Sequence, residues 1–487
     1  MRGVSLIRKA GYKNCLFFFF IMLLIGMNFL PLNKWDLELV IKQHIDNKVI
    51  LKAEGSGLVS SSFFHYVIIT TKAIKNGSAK LDDFVAHKQK QGFNVSIVTE
   101  DDFGNLTGQP PNGTAEKIRQ WLINNYIKMS IRYVLLIGDP DPDNPLQPND
   151  HVGDIPMKTC ILSRNTTTII MKISSLFFLK SDIPTDYFYA DLTGNWDYDG
   201  DQIYGEYVED YLESGYKGVD FASEVFVGRI PVYNNNNTNY SDLDHILQKT
   251  IDYEKDTGDL SWRKHVLLPM CFVKFGYDFA NLGEQIKDDL LIPNNFLYWR
   301  MYQNGSDYWF QDSLYPSDEE LRDGLLKERW SKDHFGIVCW TGHGNATLSI
   351  IGSNVFSAGV LFSTDDCRYL DDDHPAFTFQ VSCDNGRPED QNNLGYSLLV
   401  HGAIATVSGT RPTVAGFEKK GEFTDKFSSG SIAFNYLKNL ITGCTAGESL
   451  YKYKMNLSIK TELISYMQNI YGYNLFGDPS LTLFNIT

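Results

Sequence analysis

The regular alternation of apolar, strand-like runs with helical stretches constrains the fold of this 487-residue chain more than any other feature. From Tyr66 onward, strands are predicted at 66–71, 93–98, 132–138, 224–230, 265–273, 296–302, 334–340, 375–382 and 403–408. The stretches between them carry helical periodicity, for example at 114–128, 318–328 and 417–427. Strands alternating with helices predict parallel sheets. We therefore predict an α/β protein with two tandem subdomains, each a mainly parallel sheet flanked by helices.

Composition excludes several classes of function. Hydrophobic residues make up 43% of the chain and aromatic residues 14%, which is typical of a folded globular protein. The formal net charge of −15 argues against a nucleic-acid partner, because phosphate contacts need clustered Lys and Arg. The seven cysteines form no CxxC pair, so neither a zinc site nor a disulfide scaffold is predicted. Glycine-rich nucleotide-binding motifs do not follow a predicted strand, so we expect no organic cofactor.

The amino terminus has the pattern of an export leader. Residues 1–14 carry four basic side chains and no acid, and residues 15–30 are an almost unbroken apolar run. We predict a signal peptide or N-terminal membrane anchor at 1–32, a connector at 33–64, a first subdomain at 65–233 and a catalytic subdomain at 240–487. The charge asymmetry places the chain outside the cytoplasm. A small-residue cleavage site is missing, which favours a membrane-associated protein over a secreted one.

A histidine and a cysteine each follow a predicted strand in the second subdomain. His343 lies in a Thr-Gly-His-Gly turn after the strand at 334–340, and Cys383 begins a Cys-Asp-Asn-Gly turn after the strand at 375–382. A single cysteine at a strand end is usually a small buried apolar residue. Side chains at the carboxyl ends of parallel strands, however, meet at one edge of the sheet. We therefore expect His343 and Cys383 to form the imidazole and thiol pair of a nucleophilic catalyst.

An acidic loop in the first subdomain has oxygen-bearing side chains at the spacing of a calcium site. They are Asn195, Asp197, Asp199, Asp201 and Glu206, with Gly200 at the sharp turn. This spacing fits an EF-hand-type loop, although the hydrophobic position is shifted by one and no helices are predicted on either side. The alternative is a solvated acidic turn. We predict a structural Ca²⁺ ion.

The ordered set of these blocks resembles the gingipain family of cysteine peptidases, relatives of caspases and legumains. The His343 and Cys383 turns are similar to that family's histidine and cysteine blocks, and three further blocks match at 184–189, 224–230 and 474–481. The resemblance spans residues 66–483. It implies a caspase-like fold and an endopeptidase that cleaves protein or peptide substrates through a thioester on Cys383.

The resemblance also implies secondary site residues. Backbone N–H groups of Gly344 and Cys383 are expected to form an oxyanion hole, and Asp278 and Glu284 lie near the position of the family's acidic residue for a basic substrate side chain. The family's glutamate that orients the histidine has no acidic counterpart at 272–275. Two other functions stay open: a transpeptidase that uses the same thioester, and a non-catalytic surface binding protein of the same fold.

Overall fold

Eleven strands pair into one continuous sheet in the computed structural model, which describes residues 64–144, 150–162, 182–212, 217–233, 240–274, 277–303, 313–352, 359–455 and 464–484. Numbered along the chain, the strands are β1 (His65–Ile69), β2 (Asn94–Val98), β3 (Ile131–Gly138), β4 (Lys158–Ile161), β5 (Asp182–Thr185), β6 (Phe226–Pro231), β7 (His265–Met270), β8 (Phe272–Lys274), β9 (Tyr277–Asp278), β10 (Leu297–Tyr302), β11 (Glu319–Glu320), β12 (Ile337–Thr341), β13 (His343–Gly344), β14 (Leu348–Ile351), β15 (Gly359–Ser363), β16 (Ala376–Val381), β17 (Ala403–Gly409) and β18 (Tyr473–Gly477). The order across the sheet is β11-β10-β7-β12-β16-β17-β18-β6-β3-β1-β2.

Helices flank this sheet. They are α1 (Lys72–Gly77), α2 (Leu81–Lys90), α3 (Glu100–Phe103), α4 (Thr114–Met129), α5 (Ser241–Lys255), α6 (Ala280–Gln285), α7 (Leu325–Lys332), α8 (Thr364–Cys367), α9 (Leu394–Val400), α10 (Ser429–Ile441), α11 (Ala446–Lys454) and α12 (Ile464–Gly472). Separate buried clusters of apolar side chains lie in the fold, as expected for a sheet that is covered on both faces.

The central strands are parallel and almost continuously apolar. Every residue of β12, β16 and β17 is buried, and β7, β12, β16 and β17 pair in parallel register. The exception is β18, which runs antiparallel to β17. Strands buried on both faces need apolar side chains throughout, which is why they stand out in the sequence. The predicted α/β fold with a mainly parallel sheet is confirmed.

The two predicted subdomains contribute different ends of the same sheet. Strands β1, β2, β3 and β6 come from the first half of the chain, whereas β7, β10, β11, β12, β16 and β17 come from the second. Strand β18, close to the carboxyl terminus, lies between β17 and β6 and joins the two sets. The residues from Phe63 onward form one compact unit. The exact boundaries of the two subdomains stay a prediction.

A buried ion pair brings three of the sequence blocks together. The Arg229 guanidinium donates two hydrogen bonds to the Asp186 carboxylate, at 2.8 and 2.6 Å, and the Asp186 N–H donates to Asn474 Oδ1 at 2.9 Å. All three residues are buried. Because a buried charge left without its partner destabilises a fold by about 3–5 kcal/mol, this pair fixes β6 against the segment around Asp186.

Two predicted helices differ from the structure. The helix expected at 318–328 begins only at Leu325, because Gly324 has a left-handed backbone (φ 75°) and Glu319–Glu320 pair as β11. The segment expected as a helix at 417–427 is irregular. Its backbone is held from outside, since Gln285 Oε1 accepts the Gly421 N–H at 2.7 Å.

Two expectations fall on parts of the chain outside the described residues. They are the leader at 1–32 and the connector up to residue 63. Among the described helices, none combines the length and the apolar character needed to cross a membrane.

Candidate active site

The strand register places His343 and Cys383 at the same level of two neighbouring strands. Thr341, the last residue of β12, pairs with Val381, the last residue of β16. The Gly342 N–H continues the ladder by donating to the Val381 carbonyl at 3.1 Å. His343 and Cys383 each follow two residues later. The histidine turn and the cysteine turn therefore leave the carboxyl edge of the sheet side by side, as the sequence indicates.

The two turns are in direct contact at Gly344. A Cβ atom on Gly344 would lie only 2.6 Å from the Cys383 carbonyl oxygen and 3.0 Å from Asn385 Nδ2, and it would also overlap Ser382 Oγ. Side-chain carbons do not approach a backbone oxygen so closely. Glycine at position 344 is therefore a steric requirement for this close approach of the two turns.

The Cys383 thiol lies in a half-buried pocket against the segment that follows β17. The Thr413 N–H donates to Cys383 Sγ at 3.3 Å, and the Thr413 carbonyl oxygen lies 3.8 Å from the same sulfur. Burial raises the pKa of the Cys383 thiol, the Thr413 N–H opposes that rise, and the Asp384 carboxylate adds to it. The net pKa is above the ordinary value, so a base is needed to generate the thiolate at neutral pH.

The backbone around the thiol has two unusual features. Asp384, directly after the cysteine, has a left-handed backbone with φ of 56°, a conformation that side-chain-bearing residues adopt rarely and often at functional sites. Among the described residues, the Cys383 N–H donates to no protein acceptor. A backbone donor beside the sulfur, without an acceptor in the fold, can bind a substrate oxygen.

A buried polar network ties the histidine turn to the cysteine turn. Asn385 Nδ2 donates to the carbonyl oxygens of Asn345 (2.6 Å) and Leu348 (3.2 Å), and Asn385 Oδ1 accepts from Ser349 Oγ at 2.9 Å. Ser349 Oγ also lies 2.9 Å from Ser382 Oγ. Asn385, Ser349 and Ser382 are buried. The network therefore fixes the distance between the two turns.

The predicted specificity residues have different environments. Asp278 lies half-buried in the hairpin after β7, where its carboxylate accepts from the Ala280 N–H at 2.9 Å and from Ser313 Oγ at 2.6 Å. Strand β7 neighbours β12, so this hairpin leaves the same edge of the sheet as His343. Burial raises the pKa of Asp278.

Glu284 is buried in α6 and already has cationic partners. Its carboxylate lies 2.5 Å from Lys287 Nζ and 3.0 Å from Arg300 Nη1, and Tyr302 donates a further hydrogen bond at 2.9 Å. Burial opposes ionisation, yet these hydrogen bonds hold the pKa of Glu284 below its usual value. The contacts give Glu284 a structural ion pair. Its role in substrate binding stays a prediction.

The acidic loop brings most of its predicted ligands together. Carboxylate oxygens of Asp199, Asp201 and Glu206 lie within 4.8 Å of one another, and those of Asp197, Asp199 and Asp210 form a second such group. Asn195 lies at the edge of the loop, where Oδ1 accepts from Gln109 Nε2 at 2.6 Å.

Buried carboxylates in this loop and just after it fit a cation. Asp197, Glu206 and Asp210 are buried, and burial raises the pKa of Asp197 and brings that of Asp210 to about 7. Backbone N–H groups of Tyr198 and Glu206 donate to the Asp210 carboxylate at 2.5 and 3.0 Å. Clustered buried carboxylates are costly without a positive charge, and their oxygens are the ligands that Ca²⁺ prefers.

Sequence reasoning missed Thr413, Asn385, Ser349 and Asp210. Thr413 contacts the thiol from a segment thirty residues downstream, and Asp210 comes from a π-helical turn beyond the twelve-residue loop. Asn385 belongs to the Cys-Asp-Asn-Gly turn, so its place two residues after Cys383 is visible in the sequence. The other contacts depend on tertiary structure alone.

Comparisons with known proteins bear on the family and the fold. The family model described as peptidase family C25 matches residues 60–484. The fold is similar to the crystal structure of the Arg-specific cysteine proteinase gingipain R, with a TM-score of 0.56, 18% identity, and coverage of 87% of this chain and 79% of that one. A structure described as that of a protease matches with a TM-score of 0.52, 12% identity and the same coverage. No curated protein matches the sequence. The chain therefore belongs to peptidase family C25, the gingipain family of cysteine peptidases.

Proposed function

We propose that the chain is an extracytoplasmic endopeptidase in which Cys383 is the nucleophile and His343 the general acid and base. One observation carries this proposal: the Thr341–Val381 pairing, continued by the contact of Gly344 with the cysteine turn, aligns the two turns at one sheet edge. Catalytic groups of open α/β sheets collect at that edge.

The chemistry follows from these positions. His343 takes the proton of the Cys383 thiol, and the sulfur attacks the carbonyl carbon of the scissile peptide bond. The tetrahedral intermediate collapses when His343 returns that proton to the leaving amine, which leaves a thioester on Cys383. Water, deprotonated by His343, then attacks the thioester and releases the carboxylic acid and the free thiol. If a second amine attacked instead of water, the same intermediate would give transpeptidation.

The developing negative charge on the carbonyl oxygen needs donors. We assign this role to the backbone N–H groups of Cys383 and Gly344. The first has no acceptor among the described residues, and the second lies on the turn that abuts the Cys383 carbonyl. Each such donor contributes about 2.7–4 kcal/mol to transition-state binding in comparable enzymes. The Asn385 network keeps the two donors on facing turns.

We propose that Asp197, Asp199, Asp201, Glu206 and Asp210 hold a structural Ca²⁺ ion, with Asn195 at the rim. The support is the convergence of their carboxylates and the burial of three of them. A bound cation neutralises this cluster and orders the loop; it takes no part in peptide cleavage.

Our proposal for substrate preference rests on the different surroundings of the Asp278 and Glu284 carboxylates. Asp278 lies half-buried on a hairpin beside the histidine turn and is without a cationic partner among the residues that the structure describes, whereas Glu284 is paired with Arg300 and Lys287. We therefore favour Asp278 as the residue that receives a basic substrate side chain. The basic and apolar leader supports export and membrane association.

The proposal is tested by measuring cleavage of a protein substrate by variants in which one cysteine is replaced by alanine. Cys383→Ala is expected to abolish cleavage while the unfolding midpoint stays unchanged. Cys444, the other half-buried thiol in the described part of the chain, supplies the matched control, and Cys444→Ala is expected to retain activity. Activity that survives Cys383→Ala, or disappears in Cys444→Ala, would place the nucleophile elsewhere. Inactivity of the parent chain with diverse peptides would favour a binding protein.

A further inference from the structure

Two histidine–aspartate clusters lie at the amino-terminal edge of the sheet, away from the proposed catalytic residues. They are built on adjacent aspartates in the segment between α8 and β16. The first, named the His245 cluster, comprises His245, Asp372 and His401; the second, named the His334 cluster, comprises His334, Asp371 and His374. In each cluster the ligand-type atoms lie within 4.8 Å of one another.

The His245 cluster draws its residues from three elements. His245 lies on α5, Asp372 precedes β16, and His401 directly follows α9. His245 Nε2 lies 3.0 Å and His401 Nδ1 lies 3.1 Å from the same atom, Asp372 Oδ2. Two imidazole nitrogens and one carboxylate oxygen therefore converge on one small volume. The two histidine side chains are 43% and 44% exposed, so solvent can complete a coordination shell.

The opposite oxygen of Asp372 is fixed by other groups. Asp372 Oδ1 accepts from Lys249 Nζ at 2.9 Å and from the Gly402 N–H at 2.7 Å. Lys249 is itself buried and donates to the carbonyl oxygens of Leu399 and Val400, both at 2.9 Å. These contacts orient the carboxylate so that Oδ2 faces the imidazoles, as outer-shell partners do around metal ligands.

These separations match those around a tetrahedral ion. Ligand atoms that are each ~2.0 Å from zinc lie about 3.3 Å apart, close to the observed nitrogen–oxygen distances. The two imidazole rings are 5.7 Å apart at 52°, which leaves room for an ion between their nitrogens. Imidazole nitrogens favour zinc-class cations, whereas Ca²⁺ takes oxygen ligands. We propose that His245, Asp372 and His401 bind a zinc-class divalent cation, with solvent in the remaining position.

The His334 cluster has the same residue types in a different geometry. Its two rings stack at 3.8 Å with an interplanar angle of 26°, and His374 also packs edge-on against Trp262 at 5.2 Å. Both Nδ1 atoms approach Asp371 Oδ2, at 3.4 Å for His334 and 2.6 Å for His374, but the stacked rings direct their in-plane lone pairs side by side. The His334 cluster is therefore a matched control within the same segment.

The proposed ion is structural. It would join α5 to the end of α9, the helix that begins after the Cys383 turn. Strand β16 has six residues and spans ~20 Å at about 3.3 Å per residue, and it separates Asp372 from Cys383. The ion is thus too far from the thiol for a role in peptide cleavage, and its effect is on stability.

Titration of the full chain with Zn²⁺ tests the proposal. All measurements use Cys383→Ala as the background variant, because this removes the thiol as a competing ligand. The protein is first treated with chelator, and Ca²⁺ is then added back so that the acidic loop is not an alternative site. Calorimetry is expected to show binding of a single Zn²⁺ ion, and Co²⁺ is expected to give the absorption of a tetrahedral site. Asp372 is left unchanged, because its substitution would strand the buried Lys249 charge.

The paired variants decide the outcome. His245→Gln with His401→Gln is expected to weaken Zn²⁺ binding at least ~10-fold and to abolish the rise in unfolding midpoint with Zn²⁺. His334→Gln with His374→Gln is expected to change neither. Equal unfolding midpoints of both double variants without metal verify the fold. The proposal would be overturned if the background variant did not bind Zn²⁺. It would also be overturned if binding survived His245→Gln with His401→Gln, or was lost only in His334→Gln with His374→Gln.

Discussion

Substitution of Gly344 by alanine tests the close approach of the histidine turn to the cysteine turn. The new Cβ would stand 2.6 Å from the Cys383 carbonyl oxygen, against an ordinary contact of at least 3.4 Å. Ser382 Oγ can rotate away, but a backbone carbonyl can retreat only if the turn moves. The turns must therefore separate by ~0.8 Å, and misplacements of about 1 Å cost enzymes ~100-fold in rate.

We expect Gly344→Ala to lower kcat/KM about 100-fold and to reduce the free energy of unfolding by about 1–3 kcal/mol through overpacking. The assay combines turnover of a peptide substrate with urea unfolding. Gly258→Ala is the control, because among the described residues its Cβ would meet only the carboxylate end of the Asp256 side chain, at 3.2 Å. A Gly344→Ala enzyme within a few-fold of the parent, or a Gly258→Ala enzyme equally impaired, would refute the reasoning.

Three further predictions concern the calcium loop, the acidic residues and the thiol. Chelation of Ca²⁺ is expected to lower the unfolding midpoint by several degrees, since a ligand at a hundredfold excess over Kd contributes about 2.7 kcal/mol; Asp210→Asn should remove that difference, and equal midpoints in the parent would contradict the site. Glu284→Gln is expected to reduce the free energy of unfolding by about 3 kcal/mol because it breaks a buried ion pair. Asp278→Asn should instead raise KM for substrates with a basic residue. If Glu284→Gln raised KM and Asp278→Asn lowered stability, the two assignments would be reversed. Alkylation of Cys383 is expected to begin at lower pH in the parent than in His343→Ala, because burial raises the pKa of the thiol and the imidazole takes up its proton; identical profiles would exclude His343 as the base.

The features that could be predicted from sequence are those encoded locally. Strands β12 and β16 are buried on both faces, so each is a continuous apolar run with an abrupt polar end. The polar ends of these two strands mark the positions of His343 and Cys383 in the sequence. Parallel strands have their carboxyl ends at one edge of the sheet, so the two turns are expected to be neighbours.

Contacts made across the fold could not be predicted in the same way. The segment at 417–427 has helical spacing of apolar residues, yet Gln285 holds its backbone and Asn281 Nδ2 donates to the Glu418 carbonyl at 2.7 Å. These tertiary hydrogen bonds override the local preference. Thr413 reaches the thiol from the stretch before that segment, so its contact with Cys383 had no sequence signal.

Glu284 shows the limit of arguing from residue type. The family resemblance places Glu284 near the family's acidic residue for a basic substrate side chain. Only the structure shows that Arg300, sixteen residues away, already lies 3.0 Å from its carboxylate. Charge in a sequence indicates that a partner is needed, but it does not say whether the partner comes from the fold or from a ligand.

The most direct test of the central claim is to identify the cysteine that reacts with a thiol-directed peptide inhibitor. Burial raises the pKa of Cys160, Cys271, Cys339 and Cys367, and these thiols are inaccessible. Peptide mass spectrometry of the inhibited chain is expected to place the label on Cys383, with labelling lost in His343→Ala. A label on Cys444, or undiminished labelling of Cys383 without His343, would contradict the proposed dyad.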